Sequence, residues 1–112
     1  MIGKTYEQLE LGELAEFSKT FSETDIYLYA GISGDFNPAH INEAFASQTY
    51  FKTRIAHGML SAGLISAVIG TQLPGPGSIY MQQTLTFLAP VYVGDTIRAR
   101  VEVVEKLKKK RV

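Results

Sequence analysis

Cysteine is absent from the 112 residues. That absence removes disulfides, thiolate metal sites and a cysteine nucleophile together, and it suits a reducing compartment. Histidine is scarce, with only His40 and His57. Two imidazoles without thiolates do not readily close a zinc site, although carboxylates could complete an open one, so no metal is expected. An excess of either charge is missing too, because eleven Lys and Arg balance eleven Asp and Glu. Such a chain exerts no long-range pull on nucleic acid or an anionic membrane, and the expected partner is a small molecule. The longest apolar stretch, Gly58 to Gly70, falls short of the roughly 20 residues that cross a bilayer. The opening MIGKTYEQLELGE lacks both a signal peptide's apolar core and a transit sequence's basic amphipathic character, so a cytoplasmic location is expected.

What is present fits one globular domain over residues 1–112, with 46% hydrophobic and 20% charged residues. A domain this short buries only about 65% of its unfolded surface. Association would add stability, and a homodimer or higher homo-oligomer is expected.

Apolar residues mostly alternate from Ala15 to Phe21, the period of a half-buried strand, with Lys19 out of step. Ser22-Glu23-Thr24-Asp25 then reads as a helix cap, followed by Ile26, Tyr29 and Ala30 at helical spacing. Gly31, Gly34, Asn37 and Pro38 interrupt that helix, and a second short one is predicted from about Asn42 to Gln48. From Met59 to Leu73 nearly every helical face is apolar, which predicts a helix surrounded by protein. Its small residues, Ser61, Ala62, Gly63, Ser66, Ala67 and Gly70, predict close approach of another backbone layer. Pro74-Gly75-Pro76-Gly77 ends it. Two strands are predicted next, Ile79–Leu88 and Thr96–Val104, joined through Pro90 and Gly94-Asp95 as an antiparallel pair. The sum is an α+β domain in which an antiparallel sheet wraps a mostly buried helix.

The densest chemical signal is Ser33-Gly34-Asp35-Phe36-Asn37-Pro38-Ala39-His40. A carboxylate and an imidazole stand five residues apart on a backbone made irregular by Gly and Pro. Both could meet one water, as addition of water to a double bond requires, and such proton transfer is typically worth about 10²- to 10⁴-fold in rate. Equally, Asp35 and Asn37 could make side-chain turns, with His40 merely starting a helix. His57-Gly58-Met59 opens the apolar helix, where free backbone N–H groups suit a developing negative charge and Gly58 would admit an acyl carbonyl. Against this, Gly58 could be a steric allowance and His57 a structural histidine. Ser66 is a hydroxyl in apolar surroundings that could bond Asp35 or its own helix. No GxSxG setting surrounds it, which disfavours a serine hydrolase. The run Lys106, Lys108, Lys109, Lys110 and Arg111 could meet coenzyme A phosphates, but a solvated edge or tail explains it more simply.

Taken together, Tyr29 through His40, His57-Gly58-Met59 and Leu85-Thr86-Phe87-Leu88-Ala89-Pro90-Val91-Tyr92-Val93-Gly94-Asp95 resemble the MaoC-like, R-specific enoyl-CoA hydratases of the hotdog fold. The resemblance implies syn hydration of a trans-2-enoyl-CoA to the (R)-3-hydroxyacyl-CoA. It implies no cofactor, coenzyme A being part of the substrate. It places the attacking water on Asp35 and His40 and the thioester oxygen on the Gly58 N–H. Ser66, nine residues after His57, supports Asp35 in this scheme, and Asn37 stands with it among the supporting residues. Members of the family normally continue for two further strands, so the C-terminal strands are expected to be missing here. Two other functions share these features: dehydration of 3-hydroxyacyl groups on acyl carrier protein, and a non-catalytic module that binds acyl thioesters.

Overall fold

The computed structural model describes residues 2–108. In chain order the elements are β1 (Leu14–Thr20), α1 (Glu23–Ser33), α2 (Pro38–Ile41), α3 (Glu43–Ala46), α4 (Gly58–Thr71) and β2 (Thr96–Glu102). β1 and β2 form a two-stranded antiparallel ladder. Its register is visible in facing pairs: the Thr20 and Thr96 hydroxyls lie 2.7 Å apart, and Arg100 faces Glu16 at 3.8 Å.

The described residues fall into two compact units. One is drawn from residues 2–18, 63–83 and 98–108, the other from Lys19–Ala62 and Thr84–Ile97. In the first unit Leu64, Val68, Leu73 and Ala99 are buried. The second has its own core of Phe21, Ile26, Ala30, Ala46 and Ala56, together with the side chain of His57. Burying a large apolar side chain contributes about 1.5–3 kcal/mol, so Phe21 and Ile26, both almost fully enclosed, anchor this second core.

The cap at Ser22 forms as the sequence predicts. Its hydroxyl accepts from the Asp25 N–H at 3.1 Å, and the Asp25 carboxylate accepts from the Ser22 N–H at 2.9 Å. α1 runs through Gly31 and ends at Gly34, whose φ of 81° is the left-handed conformation that glycine adopts without strain. Gly94, with φ 90°, turns the chain into β2, and Tyr92 N–H donates to the Asp95 carboxylate at 2.8 Å.

Several expectations are corrected. The short helix expected from about Asn42 to Gln48 is present as α3, a single turn capped by the extended Asn42 (φ −124°, ψ 103°), and a further single turn, α2, precedes it where only an irregular loop was expected. Ile79–Leu88 joins no ladder among the described residues. Alternation specifies which face a strand would bury, but a strand also needs a neighbouring backbone for its hydrogen bonds. β2 finds that neighbour in β1 instead. α4 buries Ala62, Leu64 and Val68 and leaves Met59, Gly63, Ser66 and Gly70 exposed. Gly63 and Gly70 face open space rather than a closely packed backbone. Of the basic run, Lys106 donates to the Leu9 carbonyl at 2.7 Å and lies 4.5 Å over the Tyr6 ring. Lys109, Lys110 and Arg111 lie outside the described residues. Among the described residues no helix is long and apolar enough to cross a membrane.

Candidate active site

The site lies within the second unit. Between α1 and α2 the chain is held by a relay of side-chain turns, each spanning two residues. The Ser33 hydroxyl accepts from the Asp35 N–H at 3.1 Å, Asp35 Oδ1 from the Asn37 N–H at 3.2 Å, and Asn37 Oδ1 from the Ala39 N–H at 3.0 Å. Short polar side chains compete with regular structure in just this way. Asn37 thereby caps α2, whose first residue, Pro38, has no N–H to satisfy. The local turns and the convergence of Asp35 with His40 are compatible, and both are present.

His40 sits on α2, half-buried. Its Nδ1 lies 2.7 Å from the carbonyl oxygen of Ile55. A carbonyl only accepts, so Nδ1 carries the proton, and Nε2 of the neutral ring is left as the basic nitrogen. Ile55 is itself held on both sides: its N–H donates to the Ala39 carbonyl at 3.2 Å, and it forms an antiparallel bridge with Tyr92. The next residue, Ala56, donates to the Val91 carbonyl at 2.7 Å.

His57 is 2% exposed. Its Nε2 lies 3.0 Å from the Asp35 backbone carbonyl, and its ring centroid is 3.9 Å from that of His40 and 4.8 Å from that of Tyr29. Asp35, His40 and His57 each offer one ligand-type atom, and these atoms lie within 4.8 Å of one another. The set has the donor types of an open zinc site, and equally those of an acid/base pair with a third ring beside it. One nitrogen of each imidazole already faces a carbonyl.

Gly58 begins α4. The His57 carbonyl accepts from Leu60 and Ser61, and among the described residues the Gly58 N–H has no hydrogen-bond partner, as befits the first turn of a helix. A Cβ at Gly58 would stand 2.8 Å from Phe87 Cε1. The absent side chain therefore makes room for that ring, which is itself 59% exposed. Ser66 is exposed on α4, and its hydroxyl forms no hydrogen bond among the described residues.

Arg54 precedes this segment and pins it to α1. Its Nη1 lies 2.6 Å from Glu23 Oε1 and also bonds the Tyr27 hydroxyl. Its backbone N–H donates to Glu43 Oε1 at 3.2 Å. The guanidinium holds the Glu23 carboxyl below the usual carboxylate range, while Thr53 is the main cause of the same shift at Glu43. Hydrogen bonding to Glu23 in turn raises Arg54. Sequence reasoning passed over Arg54 and Ile55, and it met Phe87 only as part of the Leu85–Asp95 motif, without a role at Gly58. Ile55 acts through its carbonyl, which no residue type advertises, and Arg54 is a lone cation whose partners lie on separate helices.

The family model described as "MaoC like domain" matches residues 8–112. The chain belongs to this family. It is 62% identical over 98 residues to an (R)-specific enoyl-CoA hydratase of Rhodospirillum rubrum, covering 88% of this chain and 68% of that protein. It is 51% identical over 106 residues to a 3-hydroxybutyryl-CoA dehydratase of Methylorubrum extorquens, covering 95% and 68%. Among solved structures, unliganded R-hydratase PhaJ1 from Pseudomonas aeruginosa superposes with a TM-score of 0.90 at 52% identity, over 96% of this chain and 69% of that one. This MaoC-like chain has the α+β hotdog fold, in which β1, β2 and α4 are recognisable parts.

Proposed function

We propose that this MaoC-like chain adds water reversibly to a trans-2-enoyl-CoA, giving the (R)-3-hydroxyacyl-CoA, with Asp35 and His40 as its acid/base pair. The observation that carries the reading is the meeting of the Asp35 carboxylate with the His40 ring, in a chain 50–62% identical to proteins named as hydratases or a dehydratase of this chemistry. Water held between the two groups loses a proton as its oxygen bonds C3 of the enoyl group. A proton is delivered to C2, so hydroxyl and hydrogen add across the double bond with no electrons exchanged. Charge that develops on the thioester oxygen meets the free Gly58 N–H, and such donors gain strength in a water-poor site. This chemistry calls for neither metal nor redox cofactor, and coenzyme A enters as part of the substrate.

We read residues 1–112 as one MaoC-like domain, since a single family model runs through both units. A cytoplasmic place in fatty-acid metabolism fits a cysteine-free chain that handles acyl thioesters. A homodimer fits the exposed apolar side chains of Ile79 and Leu88, which association would cover.

Mixing the purified protein with crotonyl-CoA tests the reaction. Bleaching of the conjugated-thioester absorbance with formation of the R alcohol is expected, and an unchanged spectrum rejects the hydratase. Faster turnover of the matched acyl-carrier-protein substrate would assign the chain to carrier-linked dehydration instead.

A further inference from the structure

We infer that His57 is a positioning residue for the acid/base pair, holding Asp35 through its backbone carbonyl and lying against the ring of His40. The role rests on the hydration reading above, because the spacing of the pair matters to rate only if the pair moves protons.

Asp35 stands on an irregular loop whose other hydrogen bonds, to Ser33 and Asn37, are local. Local turns shape a loop without fixing where it stands against the rest of the unit. The bond from His57 Nε2 reaches across 22 positions of sequence and does fix it. His40 has the matching tie, from Nδ1 to the Ile55 carbonyl. The tripeptide Ile55–Ala56–His57 therefore carries both anchors, one for each member of the pair. It is itself clamped by backbone bonds from Ile55 to Ala39 and from Ala56 to Val91.

The burial of His57 argues in the same direction. Nδ1 is enclosed and without a hydrogen-bond partner among the described residues, which is a cost that an apolar ring of similar size would avoid. What a phenyl ring could not supply is the Nε2–H for the Asp35 carbonyl. That donation requires the Nε2–H tautomer at His57, opposite to the Nδ1–H tautomer that the Ile55 carbonyl imposes on His40.

Two variants separate the donor from the ring. His57→Phe keeps an aromatic ring and loses the donor; His57→Gln loses the ring and keeps an amide donor. With crotonyl-CoA, His57→Phe is expected to lower kcat by about 10²-fold, the scale of an ångström-sized misplacement, while KM changes by less than about threefold. His57→Gln should retain more kcat than His57→Phe. A His57→Phe variant that turns over like the wild type, a loss that follows only the folded fraction measured by circular dichroism, or the reverse order of the two variants would overturn the role. Long-range ¹H–¹⁵N spectra of the wild-type imidazoles give a readout that needs no turnover. A proton on Nε2 of His57 and on Nδ1 of His40 is expected, and a proton on Nδ1 of His57 overturns the positioning role whatever the activity. A wild type that leaves crotonyl-CoA intact while showing the expected tautomers rejects the hydration reading instead.

Discussion

The Nδ1 of His40 lies 2.7 Å from the carbonyl oxygen of Ile55, and this contact decides which end of the imidazole is free for chemistry. With Nδ1–H committed, Nε2 is the nitrogen that can exchange a proton beside Asp35. His40→Ala and Asp35→Asn are each expected to lower kcat for crotonyl-CoA by at least about 10²-fold. Because the two groups act on one water, the double variant should be little worse than either single one. Losses that multiply in the double variant would show that the residues act independently.

The close fit of Gly58 against Phe87 yields a second expectation. Gly58→Ala places a methyl group 2.8 Å from Phe87 Cε1. The ring is more than half exposed and can give way, so the stability cost should be about 1 kcal/mol, the low end for overpacking. Crowding at the helix tip should fall mainly on substrate binding. A higher KM for crotonyl-CoA is expected, with recovery when Phe87→Ala is added. Kinetics of the single and double variants check this, and an equal defect in both would remove Phe87 from the explanation.

Arg54 joins α1 to the segment that carries Ile55 and His57. Arg54→Met keeps much of the apolar stem and deletes the guanidinium that bonds Glu23 and Tyr27. A loss of about 1 kcal/mol is expected from urea denaturation, at the upper end for a partly exposed ion pair. The difference from wild type should shrink as salt is raised, since the Glu23 carboxylate of the pair is about half exposed. A difference that salt leaves unaltered would assign the loss to packing.

Acid stability follows from the carboxylates of the helix caps and the Arg54 network. Glu23 is held below the usual range by Arg54, Asp25 by the Ser22 N–H and Glu43 by Thr53. Each group's folded pKa is depressed, so the unfolded chain takes up protons first as pH falls. The stabilisation is complete above the ordinary carboxylate range of about 4. It drains away as pH drops through that range toward the lower folded values. Urea midpoints should be flat above about pH 5 and fall below it, less steeply in Asp25→Asn. A wild-type profile that stays flat to pH 3 would contradict the assignment.

Local chemistry was legible in the sequence wherever neighbouring residues satisfy one another. Ser22 and Asp25 close their capping box across three residues, Gly34 ends α1 because it tolerates a positive φ, and the alternation of β2 places Ala99 inward and Arg98 and Arg100 outward. The motif from Ser33 to His40 could be read because its turns are also short-range. Ile79–Leu88 shows the opposite case: its alternation was visible, but pairing depends on which backbone lies alongside.

By itself, then, the sequence determined the caps, the chain reversals, the start of α4, the family, and the carboxylate and imidazole available for proton transfer. Only the tertiary structure decided that β2 pairs with β1, that the Ile55 carbonyl selects the His40 tautomer, and that His57 reaches the backbone of Asp35. The physical reason is that these ties run through main-chain carbonyls, which every residue possesses alike, so only their positions in space can say which one a given imidazole meets.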